Sequence, residues 1–255
     1  MPRKCGFFFQ RRAYTLRAGC AVVAALLLVF ALVPGVSYTL TLERPNVNVD
    51  WNKMPQQQKK AAPKLTYAPN RLFGTVEFRS KLKDLPQWDR VLRTYKGKTS
   101  IDEDFVKAGR KTEAQKWEAI KKAAKTQTPM QILQEVNKFF NLWPYRTDMD
   151  RYGLVDYWAT PAEFIDKSGD CEDYSITKMF ALIQLGFKPE SMRVAIIKDK
   201  IRNIDHAVLV VYIDTEVYVL DNTSPMVLSH SKYGHYLPVV SFNQQYKWAH
   251  VPPSK

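Results

Sequence analysis

Ser168-Gly169-Asp170-Cys171-Glu172-Asp173-Tyr174-Ser175-Ile176 is the stretch on which the fold of this 255-residue chain turns. It opens a predicted helix. Ile176, Met179, Phe180, Leu182 and Ile183 recur at helical spacing, and Gly186 after Leu185 is a C-terminal stop. Upstream, Thr160-Pro161-Ala162-Glu163 has the spacing of a capping box and starts a short helix. Residues 143–159 before it read as an aromatic and acidic loop. Three earlier helices are expected. One covers 80–95, with Leu82, Leu85, Trp88, Val91, Leu92 and Tyr95 on one face. A second, polar and surface-exposed, covers 102–125. A third starts at Thr128-Pro129, carries Ile132, Leu133, Val136, Phe139 and Phe140, and stops before Pro144. Downstream, the valine-rich runs 192–198, 206–213 and 216–220 read as strands buried on both faces. A fourth strand near Leu237–Phe242 closes the chain before Trp248. Several helices followed by an antiparallel sheet make an α+β layout.

The N-terminus has its own composition. Residues 1–17 carry Arg3, Lys4, Arg11, Arg12 and Arg17 and no acid, and 18–33 are apolar. A basic segment followed by an apolar one is an export signal. No charge falls between Arg17 and Glu43, which is long enough to cross a bilayer. A cleaved signal ending near Gly35-Val36-Ser37 and an uncleaved inner-membrane anchor through residues 18–42 both fit. Cys20 stands at the start of the apolar run rather than its end, so it does not mark a lipoprotein, and Arg11-Arg12 belong to a generic basic segment. Residues 43–75, with Pro45, Pro55, Gln56–Gln58, Pro63 and Pro69, read as a flexible tether with too few apolar residues to order it. The globular domain is expected from 76 to 255. The net charge of +13 is concentrated in residues 51–146, which hold 21 basic and 9 acidic residues. Those lysines are spread along helices rather than interleaved with aromatic platforms. They read as solvated faces, and no nucleic-acid partner is expected.

Cys171 is the only cysteine beyond the leader, since Cys5 and Cys20 both precede residue 21. In an exported segment it has no internal disulfide partner, which makes it a candidate nucleophile. At a helix N-terminus the dipole and free N–H groups favour its thiolate and supply oxyanion donors. His206 opens an apolar strand, and Asp221 follows the next one. Cysteine, histidine and aspartate in that order, each at the edge of an element, match a nucleophile, a general base and a group that orients the base. The order is that of papain-like and transglutaminase-like triads. Taken singly, each residue also has a plain structural reading: a small buried thiol, a structural histidine, a turn aspartate. Asp170, Glu172 and Asp173 would raise a thiol pKa by repulsion. A bound cation resolves that conflict, and hard oxygen ligands favour Ca2+ over zinc, though the spacing is not that of an EF-hand. There is no C-x-x-C, and His230, His235 and His250 lack zinc-ligand spacing.

Asp156-Tyr157-Trp158-Ala159-Thr160-Pro161-Ala162-Glu163-Phe164 and the block from Ser168 to Ile176 together resemble the bacterial transglutaminase-like cysteine peptidases. The likeness continues through Met192-Arg193-Val194, Asp205-His206-Ala207-Val208-Leu209, Val219-Leu220-Asp221-Asn222 and Pro238-Val239-Val240-Ser241-Phe242-Asn243. It spans about residues 76–250. The resemblance implies a papain/transglutaminase-like fold with Cys171 as nucleophile, His206 as base and Asp221 as orienter. It further implies Ca2+ dependence, with Asp170 and Glu172 as ligands and aspartates of the preceding loop, such as Asp156, as additional ones. Family substrates are large surface adhesins, cut near the N-terminus at a paired-alanine site to release the adhesin and disperse the biofilm. An inner-membrane cyclic di-GMP receptor restrains the protease in the periplasm. This chain departs from the family in its long uncharged span and in having Ala-Val rather than Met after the histidine. The alternatives are acyl transfer to an amine by the same nucleophile, or a calcium-stabilised binding module with an inert thiol.

Overall fold

The computed structural model describes residues 71–98 and 100–253. The expected leader and most of the expected tether lie outside these residues. Among the described residues no helix is long and apolar enough to cross a membrane.

Helices pack on one face of an antiparallel sheet, as the α+β reading expects. The strands are β1 (Val76–Lys81), β2 (Met192–Asp199), β3 (Ile204–Ile213), β4 (Glu216–Leu220), β5 (Leu228–Ser229), β6 (Tyr236–Phe242) and β7 (Tyr246–Val251). Their order across the sheet is β1-β7-β6-β2-β3-β4-β5. The central pair β2 and β3 is buried on both faces, as their continuous apolar runs require. Val194, Ile196, Ala207, Leu209 and Val211 join the helical core. Ala195, Ile197, Val208 and Val210 face the opposite side, where Leu72, Tyr233 and Tyr236 cover them.

The helices are α1 (Pro86–Thr94), α2 (Asp102–Lys107), α3 (Lys111–Ala124), α4 (Pro129–Phe140), α5 (Asp148–Tyr152), α6 (Pro161–Lys167) and α7 (Cys171–Gln184). The expected capping box of Thr160 with Glu163 forms at α6, and the expected N-cap Thr128 at α4 also forms one, with Gln131. The central helix α7 is buried from Cys171 to Leu182, and it packs across β3 and β2 with α4 and α6 beside it. Gly186 follows it with φ of 94°, the left-handed stop that the sequence signals.

Four expectations are corrected. The stretch 80–95 is not one helix, because Val76–Lys81 pairs with β7 as an edge strand and Pro86 sets the helix start. A mostly exposed edge strand lacks the apolar alternation that marks a half-buried one. The helix expected over 102–125 is two, broken at Gly109, whose φ of 68° no helix accommodates. Nor is that region only a solvated face, since Phe105 and Trp117 are fully buried and Trp117 stacks on Phe139. The loop 143–159 contains α5, capped by Thr147 Oγ1 accepting from Asp150 N. Finally, Leu237–Phe242 is not the last strand: Trp248 lies on β7, which joins β6 to β1.

Candidate active site

Cys171 is the first residue of α7 and is fully buried. Its Sγ donates to Glu172 Oε2 at 3.2 Å. The turn before it is held by Asp173, whose Oδ1 accepts from Ala159 N at 2.6 Å and whose Oδ2 accepts from Asp170 N at 3.1 Å. Gly169 is obligatory there, because a Cβ would fall 1.9 Å from Asp173 Oδ2. Gly169 O also accepts from Arg146 N, which fastens the acidic loop to the start of α7.

The sheet brings the other two candidates together. His206 lies near the start of β3 and Asp221 just past the end of β4, both buried. His206 Nε2 is 3.0 Å from Asp221 Oδ1. Thr223 N and Oγ1 donate to the same oxygen at 2.8 and 2.9 Å, and Tyr236 OH donates to Oδ2 at 2.7 Å. Burial alone would raise the Asp221 pKa. The His206 hydrogen bond and charge, with Tyr236 and Thr223, outweigh burial and hold it well below the usual carboxylate range. Asp221 is therefore a fixed anion facing an imidazole. Tyr236 and Thr223 were not anticipated. Only the proximity of Thr223 to Asp221, the spacing of an Asx-type turn, carried a signal for either.

The acids gather on the α7 side of the fold. Single ligand atoms from Asp148, Asp156 and Glu172 lie within 4.8 Å of one another, as do those of Asp148, Asp170 and Asp173, and of Asp170, Cys171 and Glu172. All are buried except Asp156, which is half-buried. Burial, then repulsion from Asp170, pushes the Glu172 pKa well above its ordinary value; Asp173 is pushed up for the same two reasons. Buried carboxylates that resist ionisation together are a poor resting state for an apo protein and a good donor set for a hard cation. Asp148 belongs to this set, although Asp156 is the loop aspartate that the sequence singles out. It begins α5, eight residues before Asp156, and its Oδ2 also accepts from Tyr157 N at 2.6 Å. Asp156 is already engaged by Gln87 Nε2 and Trp158 Nε1 at 2.8 and 2.9 Å.

A buried cysteine opening a helix that crosses an antiparallel sheet, with a histidine–aspartate pair on that sheet, is the architecture of papain- and transglutaminase-like cysteine peptidases. The chain belongs to the bacterial transglutaminase-like cysteine proteinase family, whose profile matches residues 101–255. Among solved structures, calcium-bound LapG of Legionella pneumophila is 29% identical, with a TM-score of 0.50 over 66% of this chain and 88% of that one. Another LapG structure from the same organism is 29% identical, with a TM-score of 0.48 over 67% of this chain and 90% of that one. Its EGTA-treated form is 28% identical, with a TM-score of 0.49 over 67% and 87%. No curated protein sequence gives a significant match.

Proposed function

We propose that this chain is a calcium-dependent cysteine endopeptidase of the periplasm that cuts a large surface adhesin near its N-terminus and so controls adhesin release. The observation that carries the reading is the buried His206–Asp221 pair on the sheet against which the Cys171 helix packs. Nε2 faces Asp221, and the thiol proton passes to the other imidazole nitrogen, Nδ1. The thiolate attacks a peptide carbonyl, and N–H groups at the start of α7 stabilise the oxyanion. His206 then protonates the leaving amine, and water releases the acyl group from Cys171. Asp221 keeps the imidazole oriented and favours its charged form throughout.

Asp170, Glu172, Asp148 and Asp156 would hold Ca2+. Bound there, the cation supplies positive charge that lets these acids ionise beside the cysteine. Calcium-bound LapG at 29% identity supports calcium as the cation. Family membership supports a protein substrate; the sequence resemblance described above is what points to an adhesin and to restraint by an inner-membrane cyclic di-GMP receptor. The basic, apolar N-terminal sequence supports export, either as a soluble periplasmic enzyme or tethered to the inner membrane through residues 18–42.

The test is cleavage of a purified N-terminal adhesin fragment from the same organism. Wild type and Cys171→Ala are compared in calcium and in EGTA, with a primary amine in a parallel reaction. Wild type with calcium is expected to cleave, and the other three conditions not to. Cleavage by Cys171→Ala would remove the assigned nucleophile. Amine incorporation in place of cleavage would make the protein an acyl transferase.

A further inference from the structure

Lys178 is a buried cation that the chemistry above does not use. It lies seven residues after Cys171 on α7, two turns along the same helix. It is fully buried, and its Nζ donates to Asn137 Oδ1 at 2.8 Å and to Asn141 Oδ1 at 2.7 Å. Asn137 is on α4 and Asn141 is that helix's C-cap, one turn further along the same face. Both side-chain amides then reach the loop after β4. Asn137 Nδ2 donates to Ser224 O at 2.9 Å, and Asn141 Nδ2 donates to Asp221 O and to Ser224 O, each at 2.9 Å.

We propose that Lys178, acting through Asn137 and Asn141, is a positioning residue that fixes the Asp221 loop relative to the helix that presents Cys171. The inference rests on the reading of Asp221 as the group that orients His206. The chemistry of the donors carries it. An ammonium group donates and cannot accept, so both asparagines must turn their oxygens to Lys178 and their NH2 groups to the loop carbonyls. Without the lysine each amide loses the donor to its oxygen and is oriented by the loop carbonyls alone. One helix thereby carries the nucleophile at its start and, two turns on, the root of the clamp on the orienting aspartate. Burial lowers the Lys178 pKa to about 7, while the Asp221 charge acts in the opposite direction. The Tyr174 ring also faces Nζ, at 5.6 Å, and Asp221 is faced from the other side by His206 and Tyr236. Either protonation state of Lys178 has the N–H groups this clamp needs.

The experiment is NMR titration of the His206 imidazole in the full-length, calcium-loaded chain, which has only four histidines to assign. Wild type, Asp221→Asn, Asn141→Ala, Lys178→Met and the double variant Asn141→Ala/Asp221→Asn are compared. Removing the aspartate charge is expected to weaken proton binding at His206 about tenfold. Asn141→Ala changes no charge and is expected to weaken it about threefold, with no further effect once Asp221 is already Asn. Lys178→Met is expected to act in the same direction as Asn141→Ala. Pure loss of a nearby positive charge would act in the opposite direction and strengthen proton binding. A wild-type titration in Asn141→Ala, or an effect that adds in full to that of Asp221→Asn, would overturn the proposal. A stronger proton affinity in Lys178→Met would overturn the role of the lysine. If Lys178→Met does not fold, the Asn141 arm alone decides. An unmoved titration in Asp221→Asn would instead sink the His206–Asp221 assignment on which the inference rests.

Discussion

At the scale of the residue, the chemistry concentrates on one carboxylate. Asp221 Oδ1 meets three donors and Oδ2 meets one, Tyr236 OH at 2.7 Å. A hydrogen bond to a charged group contributes about 1.5–3 kcal/mol. Three donors remain on Oδ1 when Tyr236 is lost, so the lower end applies. Tyr236→Phe keeps the ring and its edge contact with His206 and removes only the hydroxyl. The expected outcome is a fall in kcat of about tenfold with KM unchanged, smaller than the fall for Asp221→Asn. Steady-state cleavage of the adhesin fragment measures both, and a tyrosine without influence on Asp221 would leave kcat where it was. The residues proposed for the chemistry stand out in the sequence because each lies at the edge of an element and is chemically distinctive. Tyr236 was not, because it approaches from β6 and nothing local in its sequence marks it as facing Asp221.

At the scale of the element, the start of α7 is a tightly constrained turn. Asp173 holds Ala159 N and Asp170 N at once, and it does so in the space where a Gly169 side chain would stand. Gly169→Ala must therefore displace Asp173 or distort the turn that carries Asp170 and Cys171. Overpacking of this kind costs about 1–3 kcal/mol. For a domain of this size, at about 2–4 °C per kcal/mol, that is a fall in Tm of about 2–12 °C. Thermal unfolding in EGTA reads the loss directly, and the stabilisation gained on adding calcium should also shrink, because Asp170 sits in the same turn. An unchanged Tm in both buffers would mean that the turn relaxes without cost. The helices themselves were largely readable: Thr128 and Thr160 mark two starts and Gly186 marks a stop. The break between α2 and α3 was less so. Gly109 is tolerable inside a helical pattern, and only its left-handed φ of 68° makes it a terminator.

At the scale of the whole molecule, the sheet joins chain segments that the sequence leaves far apart. The edge strand β1 pairs with β7, so residues near 76 lie beside residues near 251. Long-range pairing of this kind has no local signature, and both strands were missed for that reason. A buried histidine helps close the join. His250 on β7 bonds through Nδ1 to Thr75 Oγ1 at 3.0 Å and through Nε2 to Ser241 Oγ on β6 at 2.8 Å. Burial is the largest influence on it and lowers its pKa from 6.5 to about 4; Glu77 raises it and Arg193 lowers it further. In the folded chain His250 therefore stays neutral down to about pH 4, whereas in the unfolded chain it binds a proton near pH 6.5. Between those values the unfolded state holds more protons, so stability is full above pH 6.5 and falls as the pH drops toward 4. At about 1.4 kcal/mol per pH unit the loss has a ceiling of about 3 kcal/mol. His250→Gln keeps a polar group that can reach Thr75 or Ser241 but cannot titrate. Its stability at pH 7 is expected to be about 1 kcal/mol below wild type. The gap should narrow or reverse by pH 4.5, because only the wild type loses the histidine contribution. Urea unfolding of both proteins at pH 7, 5.5 and 4.5 measures the difference, and the carboxylates common to both cancel in it. A gap that stays constant across the three pH values would mean that His250 does not couple the closing of the sheet to pH.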